Sequence, residues 1–422
     1  MRFLIVAQGS YGDLNPCVEI ALRLRERGHE AVFLTSAYFE PLLRRCGFDL
    51  APTLSREDHL RITSSADFRH PFKTFRFLMR ETFLGPMRRE FMAIREMYEP
   101  GRTVVLMLGP GLGARIAHDK LGVPLATLVL YPQLLRSLHD QYGLMGHRML
   151  PLFARKFLRS AFDRRVDAIV GPETNRFRHE LGLPPVTRHF QDWSYSPQLL
   201  IGLFPDWFAA HQPDWPEIRV AGFPVSDGLD EKELAPEVEA FLRAGEPPWV
   251  INALSATQNA REFFERSVAA MRALRKRAIL LSPFAENVPP DLPPEIRYFG
   301  YVPHTRLLPR SAGIIHQGGI GTLSKALSAG IPQIIVPVNF DQPYNGAHAA
   351  SMGVGAMLKP QEFHPEKIVK EIQNLHASTA VAEKCGFYSG KMRGEDGAGK
   401  ACAFLEEAFN VHAPVAHKGS RP

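Results

Sequence analysis

The chain has 422 residues and four cysteines, with 45% apolar and 22% charged residues and a formal net charge of +6. That length exceeds one ordinary core and predicts two domains, and the composition is that of a globular protein. The positive excess is small and dispersed, without a nucleic-acid signature; no apolar run reaches the roughly 18 residues of a membrane-spanning helix; and Cys17, Cys46, Cys385 and Cys402 have neither metal-ligand nor disulfide spacing. The N-terminal "MRFLIVAQGS" lacks the cleavage site of a secretory signal, so a reducing, cytoplasmic setting is expected.

In chain order, "RFLIVA" (2–7) reads as a strand, followed by a loop to Asn15, a helix ending near Arg27 with Gly28 as its stop, and "AVFLT" (31–35) as the next strand. "TVVLMLG" (103–109) and "PLATLVL" (124–130) read as later strands of the same sheet, with "DAIVG" (167–171) as a further candidate. A second series comprises "PWVINAL" (248–254), "RAILLSP" (277–283), "IRYFGYV" (296–302), "AGIIHQ" (312–317) and "PQIIVPV" (332–338). Alternating strands and helices imply βαβ units and parallel sheets. The Pro-, Gly- and acid-rich stretch 222–248 reads as the hinge, and the tail beyond Ala413 as disordered.

The loop "AQGSYGDLNP" (7–16) falls at the carboxyl end of the first strand, where open α/β sheets bind ligands. A dinucleotide site fails two checks: the third glycine of G-x-G-x-x-G is missing, and "LTSAY" offers no acid for a ribose hydroxyl. Asp13 in this loop has two readings, a helix cap or first-turn acid, and a general base aimed into a crevice.

The most informative segment is "HQGGIGTLSKALSAGIPQIIVPVNFDQPYN" (316–345). Gly318, Gly319 and Gly321 let backbone approach a ligand at the start of a helix near Thr322, where free N–H groups and the dipole favour an anion. There is no P-loop lysine. His316 and Thr322 are candidate side-chain donors to a diphosphate. Asp341 and Gln342 fall at the end of the neighbouring strand, and a carboxylate with an amide suits sugar hydroxyls. A tight strand-to-helix turn with no ligand explains the glycines alone, but not the Asp-Gln pair. Together they read as a site for a sugar diphosphate.

The His316–Asn345 segment, with "GSYGD" (9–13), resembles the family 1 glycosyltransferases of the two-Rossmann (GT-B) type. The chain is similar to the rhamnolipid-type rhamnosyltransferases within it, and to relatives acting on sterols, macrolides and glycopeptides. The likeness runs from about Met1 to Phe409 and includes "LFPDWFA" (203–209), "DWP" (214–216) and "GFP" (222–224). It implies an α/β chain with two Rossmann-like domains facing across a cleft: an acceptor domain over 1–222, a linker over 223–247, a nucleotide-sugar domain over 248–395, and a helix over 396–412 packing back on the first domain.

By that resemblance Asp13 matches the catalytic base. His316, Gly318, Gly319, Gly321 and Thr322 match the diphosphate contacts, Asp341 and Gln342 the sugar contacts, and Tyr301 and Val302 the nucleobase rim. Two departures stand out. Most members carry a Gly-Ser or Gly-Thr loop after the first strand of the second domain; here "NALSATQNA" has no glycine, and Ser255 and Thr257 are the candidates beside the phosphates. Lys325 stands where many relatives have Glu near ribose.

The implied reaction is inverting transfer of a hexose, rhamnose or glucose, from a dTDP or UDP donor to a hydroxyl of a lipophilic acceptor. No Asp-x-Asp occurs in the chain, so no metal is implied, and the nucleotide sugar is a co-substrate rather than a cofactor. The stretches 67–97 and 136–165 mix aromatic and basic residues, with seven Lys/Arg against two Asp/Glu in the second. They read either as amphipathic helices with solvated cations or as a peripheral-membrane surface. Two other functions are compatible with the same motifs: a nucleotide-sugar epimerase on this fold, which needs no acceptor, and a non-catalytic nucleotide-sugar-binding partner protein.

Overall fold

The computed structural model describes residues 1–65, 71–140, 150–225, 233–253 and 260–410, so the tail beyond Ala413 lies outside the described residues. The first sheet and its helices comprise β1 (Arg2–Val6), α1 (Tyr11–Glu26), β2 (Glu30–Ser36), α2 (Glu40–Arg45), β3 (Asp49–Leu54), α3 (Arg56–Ser65), α4 (Pro71–Leu78), α5 (Gly85–Met97), β4 (Thr103–Leu108), α6 (Leu112–Leu121), β5 (Leu125–Val129), α7 (Leu152–Glu180), β6 (Leu199–Gly202) and β7 (Arg219–Val220). The second comprises α8 (Pro236–Arg243), β8 (Trp249–Asn252), α9 (Arg261–Leu274), β9 (Ala278–Leu281), β10 (Ile296–Phe299), α10 (His304–Leu307), β11 (Gly313–His316), α11 (Ile320–Ala329), β12 (Gln333–Ile335), α12 (Gln342–Ser351), β13 (Gly355–Met357), α13 (Pro365–Ala377) and α14 (Thr379–Met392), followed by α15 (Gly397–Ala408).

Both sheets are parallel and doubly wound. Their orders are β3-β2-β1-β4-β5-β6-β7 and β10-β9-β8-β11-β12-β13. Each strand feeds both faces alternately, as a pleat requires. Phe3 and Ile5 of β1 join Val104 and Leu106 of β4 in one core layer, while Leu4, Val6, Val105 and Met107 form the layer on the opposite face. In the second sheet Trp249 and Ile251 pack on one side and Val250 on the other. Helices cover both faces, which is why these strands read as continuous apolar runs.

The strand order reverses between β1 and β4, and again between β8 and β11. Such switch points open a crevice at the carboxyl ends of the strands. The Gln8–Ser10 turn leaves the first of them, and the turn after His316 leaves the second. Both glycine-bearing loops are therefore set by topology at the ligand-binding edge of their sheets.

Three expectations are corrected. The "DAIVG" stretch lies inside α7, not in a strand; Val166, Val170 and Phe177 are buried in it at helical spacing. The strands following β5 are instead β6 and β7, and β3 adds an edge. Helix α1 begins at Tyr11, with no loop to Asn15. Pro16 lies inside it and costs one backbone hydrogen bond near the helix start.

The stretch read as a hinge includes α8, whose Val238 and Leu242 pack with Val250 and Ile279 of the second sheet. Past α14 the chain returns to the first sheet. There Cys402 on α15 points its thiol at Ile20 O on α1 (3.6 Å), and Arg27 bridges to Glu406 at 2.7 Å.

Candidate active site

Asp13 occupies the third position of α1. Ser10 caps the helix, and its backbone N and Oγ donate to Asp13 Oδ2 at 2.7 and 2.9 Å, while Ser10 Oγ accepts from Gly12 N at 3.2 Å. This is a capping box with Asp in the usual Glu/Gln position. Gly9 has φ +128, and a Cβ there would lie 2.4 Å from Asp13 Oδ2. Burial raises the Asp13 pKa above the usual carboxylate range, against the Ser10 bonds that lower it. Asp13 thus closes the helix, and burial disfavours its charged form at the carboxyl edge of the sheet.

On the second sheet His316 is 1% exposed. Its Nδ1 accepts from Gly318 N at 3.1 Å, and its Nε2 lies 2.9 Å from Gln333 Oε1, so Nε2 carries the proton. Burial lowers its pKa to about 4, and the ring is neutral. With both nitrogens engaged inside the protein, His316 shapes the Gly318 turn rather than presenting a side-chain donor. Gly318 has φ +94, and a Cβ there would meet Ile335 Cγ2 at 2.7 Å, whereas a Cβ on Gly321 would meet nothing within 4 Å. Gly319, Gly321 and Thr322 form the partly exposed edge of the α11 N-terminus.

Asp341 N-caps α12. Its Oδ2 accepts from Asn345 Nδ2 at 2.6 Å, and Asn345 Nδ2 also reaches Gly318 O at 2.8 Å. Burial, and then the Asp13 carboxylate, raise the Asp341 pKa to about 7, opposed by its own amide, Asn345 and the Ile320 N–H. The carboxyl therefore sits against the α11 N-terminus. Gln342 is 4% exposed; its Oε1 accepts from Val338 N (2.8 Å) and Asn339 N (3.2 Å), which braces the loop before Asp341. Phe340 in that loop holds φ +52, a conformation rare for non-glycine residues and typical of constrained sites.

Sequence reasoning missed Tyr131, just past β5. Burial, then Asp341 and Asp13, hold its hydroxyl proton on firmly, raising its pKa well above the usual value. It also missed Glu90 on α5, whose carboxyl is raised by burial to about 7. Neither carries a motif. The signal for Asn345 was present, since it stands one helical turn beyond Asp341.

The family described as erythromycin biosynthesis protein CIII-like, C-terminal domain, matches residues 280–396. The chain is 30% identical over 387 residues to glycosyltransferase GtfE of Amycolatopsis orientalis, covering 84% of this chain and 85% of that one. It belongs to the family 1 glycosyltransferases. The glycosyltransferase is also 26% identical to O-mycaminosyltylonolide 6-deoxyallosyltransferase of Streptomyces fradiae, over 96% of this chain and 97% of the relative. Among solved structures, glycosyltransferase VinC in complex with dTDP matches with TM-score 0.72 and 19% identity, covering 97% of this chain and all (100%) of that one. The glycotransferase of kitacinnamycin matches with TM-score 0.74 and 19% identity, covering 97% and 99%. These neighbours share the GT-B fold.

In this glycosyltransferase Val302 is buried at 2%, and Tyr301 is 58% exposed on the loop after β10. His304 at the start of α10 reaches Asn252, at the end of β8, with 3.1 Å between Nε2 and Nδ2. Ser255 and Thr257 lie outside the described residues. Among the described residues no group of three or more His, Cys, Asp or Glu is arranged to hold a metal ion, and no helix is long and apolar enough to cross a membrane.

Proposed function

We propose that the enzyme moves a hexose, rhamnose or glucose, from a dTDP- or UDP-linked donor to a hydroxyl of a lipophilic acceptor, with inversion and without a metal ion. The observation that carries this reading is a carboxyl held at the switch point of each sheet, Asp13 by Ser10 at the start of α1 and Asp341 by Asn345, which also holds Gly318 O, beside a helix N-terminus with open space at Gly321. The domain over 1–222 takes the acceptor and that over 248–395 the nucleotide sugar.

The diphosphate lies on the Gly319–Thr322 edge, with His316 holding the turn. The nucleobase lies against Tyr301 and Val302. Asp341 accepts hydrogen bonds from the sugar hydroxyls, and Gln342 fixes the loop that presents it. Asp13 takes the acceptor proton as the acceptor oxygen attacks the anomeric carbon. The bond to the diphosphate oxygen breaks, its electron pair leaves with the diphosphate, and the α11 N-terminus meets the added charge. The dTDP in complex with VinC favours a thymidine donor, and the tylonolide-derived substrate named for the Streptomyces fradiae relative favours a natural-product acceptor.

A panel of dTDP- and UDP-hexoses with lipophilic alcohols, read as released nucleoside diphosphate, tests the reading. The anomeric coupling of the product tests inversion. Donor turnover that needs no acceptor and changes only the sugar's configuration would instead identify an epimerase. On α7, Phe153 and Phe157 are 75% and 65% exposed, with Lys156 and Arg164 also exposed, which favours a peripheral lipid contact. Co-sedimentation with anionic vesicles, lost in the double Phe→Ser variant, tests that part alone.

A further inference from the structure

We propose that Glu90 is a positioning residue for the transfer reaction: through Gln8 it fixes the Gly9–Ser10 turn on which Asp13 is held. The inference rests on the reading of Asp13 as the base.

Glu90 is 2% exposed and forms no ion pair among the described residues. Its Oε1 accepts from Gln8 Nε2 at 3.0 Å, and its Oε2 from Gly113 N at 3.2 Å. Gln8 Nε2 also donates to Thr53 Oγ1 at 2.8 Å. The carboxyl therefore ties the exit of β1 to the first turn of α6, and Gln8 extends the tie to the end of β3 at the carboxyl edge of the first sheet. A buried carboxyl without a cation is a poor way to hold helices together, because apolar side chains of the same volume do so without its desolvation penalty. What a carboxyl does that an apolar group cannot is accept from two donors at once and so fix the direction of both.

The geometry leaves that direction no freedom. A Cβ on Gly113 would lie 2.3 Å from Met87 O and 2.5 Å from Glu90 Cβ, so α5 and α6 meet at backbone contact. At the other end, Gln8 is followed by Gly9, whose missing Cβ leaves the 2.4 Å gap that Asp13 Oδ2 fills. Ser10 N then donates to that same oxygen. The path Glu90–Gln8–Gly9–Ser10–Asp13 is continuous, and each link is either a hydrogen bond or a covalent neighbour. Burial, opposed by the Gln8 and Gly113 bonds, raises the Glu90 carboxyl to about 7, so its charge near neutral pH answers to these same contacts.

A double-mutant cycle with Asp13→Asn tests the coupling. With whichever dTDP- or UDP-hexose turns over fastest, Glu90→Gln is expected to lower kcat by about 10- to 100-fold, the scale expected of a misplaced catalytic group, and to leave the Kd for dTDP and UDP within about twofold. In the Asp13→Asn background Glu90→Gln is expected to add no further loss. Equal fold-losses in both backgrounds, or unchanged kcat in the single variant, overturn the proposal. If Asp13→Asn itself keeps wild-type turnover, the base reading fails, which is a separate result.

Hydrogen exchange supplies an arm independent of turnover. Amides of residues 7–14 are expected to exchange faster in Glu90→Gln while those of the α5 and α6 cores stay protected; loss of protection throughout α5 and α6 would mean a packing role only. Gln8→Met, which keeps length but removes the donor, repeats the cycle if Glu90→Gln does not fold.

Discussion

The Tyr344 hydroxyl on α12 donates to Asp140 Oδ2 in the segment after β5, at 2.6 Å. This bond joins α12 to the loop after β5, one helical turn from Asp341. The Tyr344 ring is buried at 2% and packs on His348 at 4.9 Å, and His348 in turn stacks on Phe208 of the first domain at 4.7 Å. Tyr344→Phe removes the hydrogen bond and keeps the ring. We expect the melting temperature to fall by only a few degrees, in line with about 1 kcal/mol for one hydrogen bond, while small-angle scattering of the ligand-free protein shows a larger radius of gyration. Scattering identical to wild type would show that the bond does not hold the domains together.

Asp13→Asn keeps an oxygen for the Ser10 donors and removes the proton acceptor. Transfer is expected to fall by roughly 10²- to 10⁴-fold, the range for general-base catalysis, with nucleoside diphosphate affinity nearly unchanged. Because Asp13 also closes the capping box, a loss of up to about 1 kcal/mol in stability accompanies it. A variant that melts lower but turns over normally would leave Asp13 only its capping role.

The two glycines of the turn are expected to separate fold from ligand. Gly318→Ala places a methyl 2.7 Å from Ile335 and forces φ +94 on an alanine, so the melting temperature should drop. Gly321→Ala meets no protein atom within 4 Å; it should melt like wild type yet bind nucleoside diphosphate at least tenfold more weakly, by intruding on the phosphates. Equal affinity for Gly321→Ala, by calorimetry, would move the diphosphate away from this edge.

His316→Ala breaks the bond to Gly318 N and opens a cavity beside Gln333. We expect transfer to fall by on the order of 10²-fold, as for loss of preorganised donors, here through the disordered turn rather than a lost side-chain contact. Calorimetry with dTDP and UDP beside a thermal melt checks it, and unchanged affinity would show that the turn holds without the ring.

Asp341, at about 7, sits well above its unfolded value, and burial is the main cause. A carboxyl raised in the native state contributes stability that is present below its unfolded pKa and lost as pH rises through its native one. His59, His316 and His348, all lowered to about 4 by burial, work oppositely, gaining stability as pH rises toward the unfolded imidazole value. The comparison is therefore with Asp341→Asn. The melting temperature of that variant relative to wild type should climb between pH 5.5 and 8. A pH-independent difference would mean that Asp341 is ionised throughout.

Much of this architecture was legible in the chain. The runs at β1, β4, β5, β8, β9 and β11 are apolar on both faces, and that pattern fixes buried parallel strands without needing a partner. "DAIVG" fits a strand as well as one turn and a half of α7, so local pattern alone did not separate it from the "LLIG" that forms β6. The glycine turn and Asp341 announced themselves because their chemistry is local. Gln342 and His316 stand out in the chain, but their partners, Val338 N, Asn339 N and Gln333, decide what the side chains do. Glu90 was invisible for a further reason: its bond to Gln8 spans 82 residues, and nothing near it in sequence distinguishes it from a solvated helix acid.

The return of α15 to the first sheet has a consequence for how the molecule is made. Cys17, Ile20 and Leu24 of α1 share one core layer with Ala398, Ala401, Cys402 and Leu405. A ribosome emits those partners only after the whole second sheet has been synthesised. At about 5–20 residues per second, the apolar back of α1 therefore waits many seconds uncovered while the second domain emerges, and Ile320, Leu323, Ile335 and Met392 of that domain join the same core cluster. The domain begun first is finished last. A chain truncated before Gly397 is expected to expose that face to chaperones and proteases, whereas the released full-length chain, with α15 (Gly397–Ala408) in place, shields it.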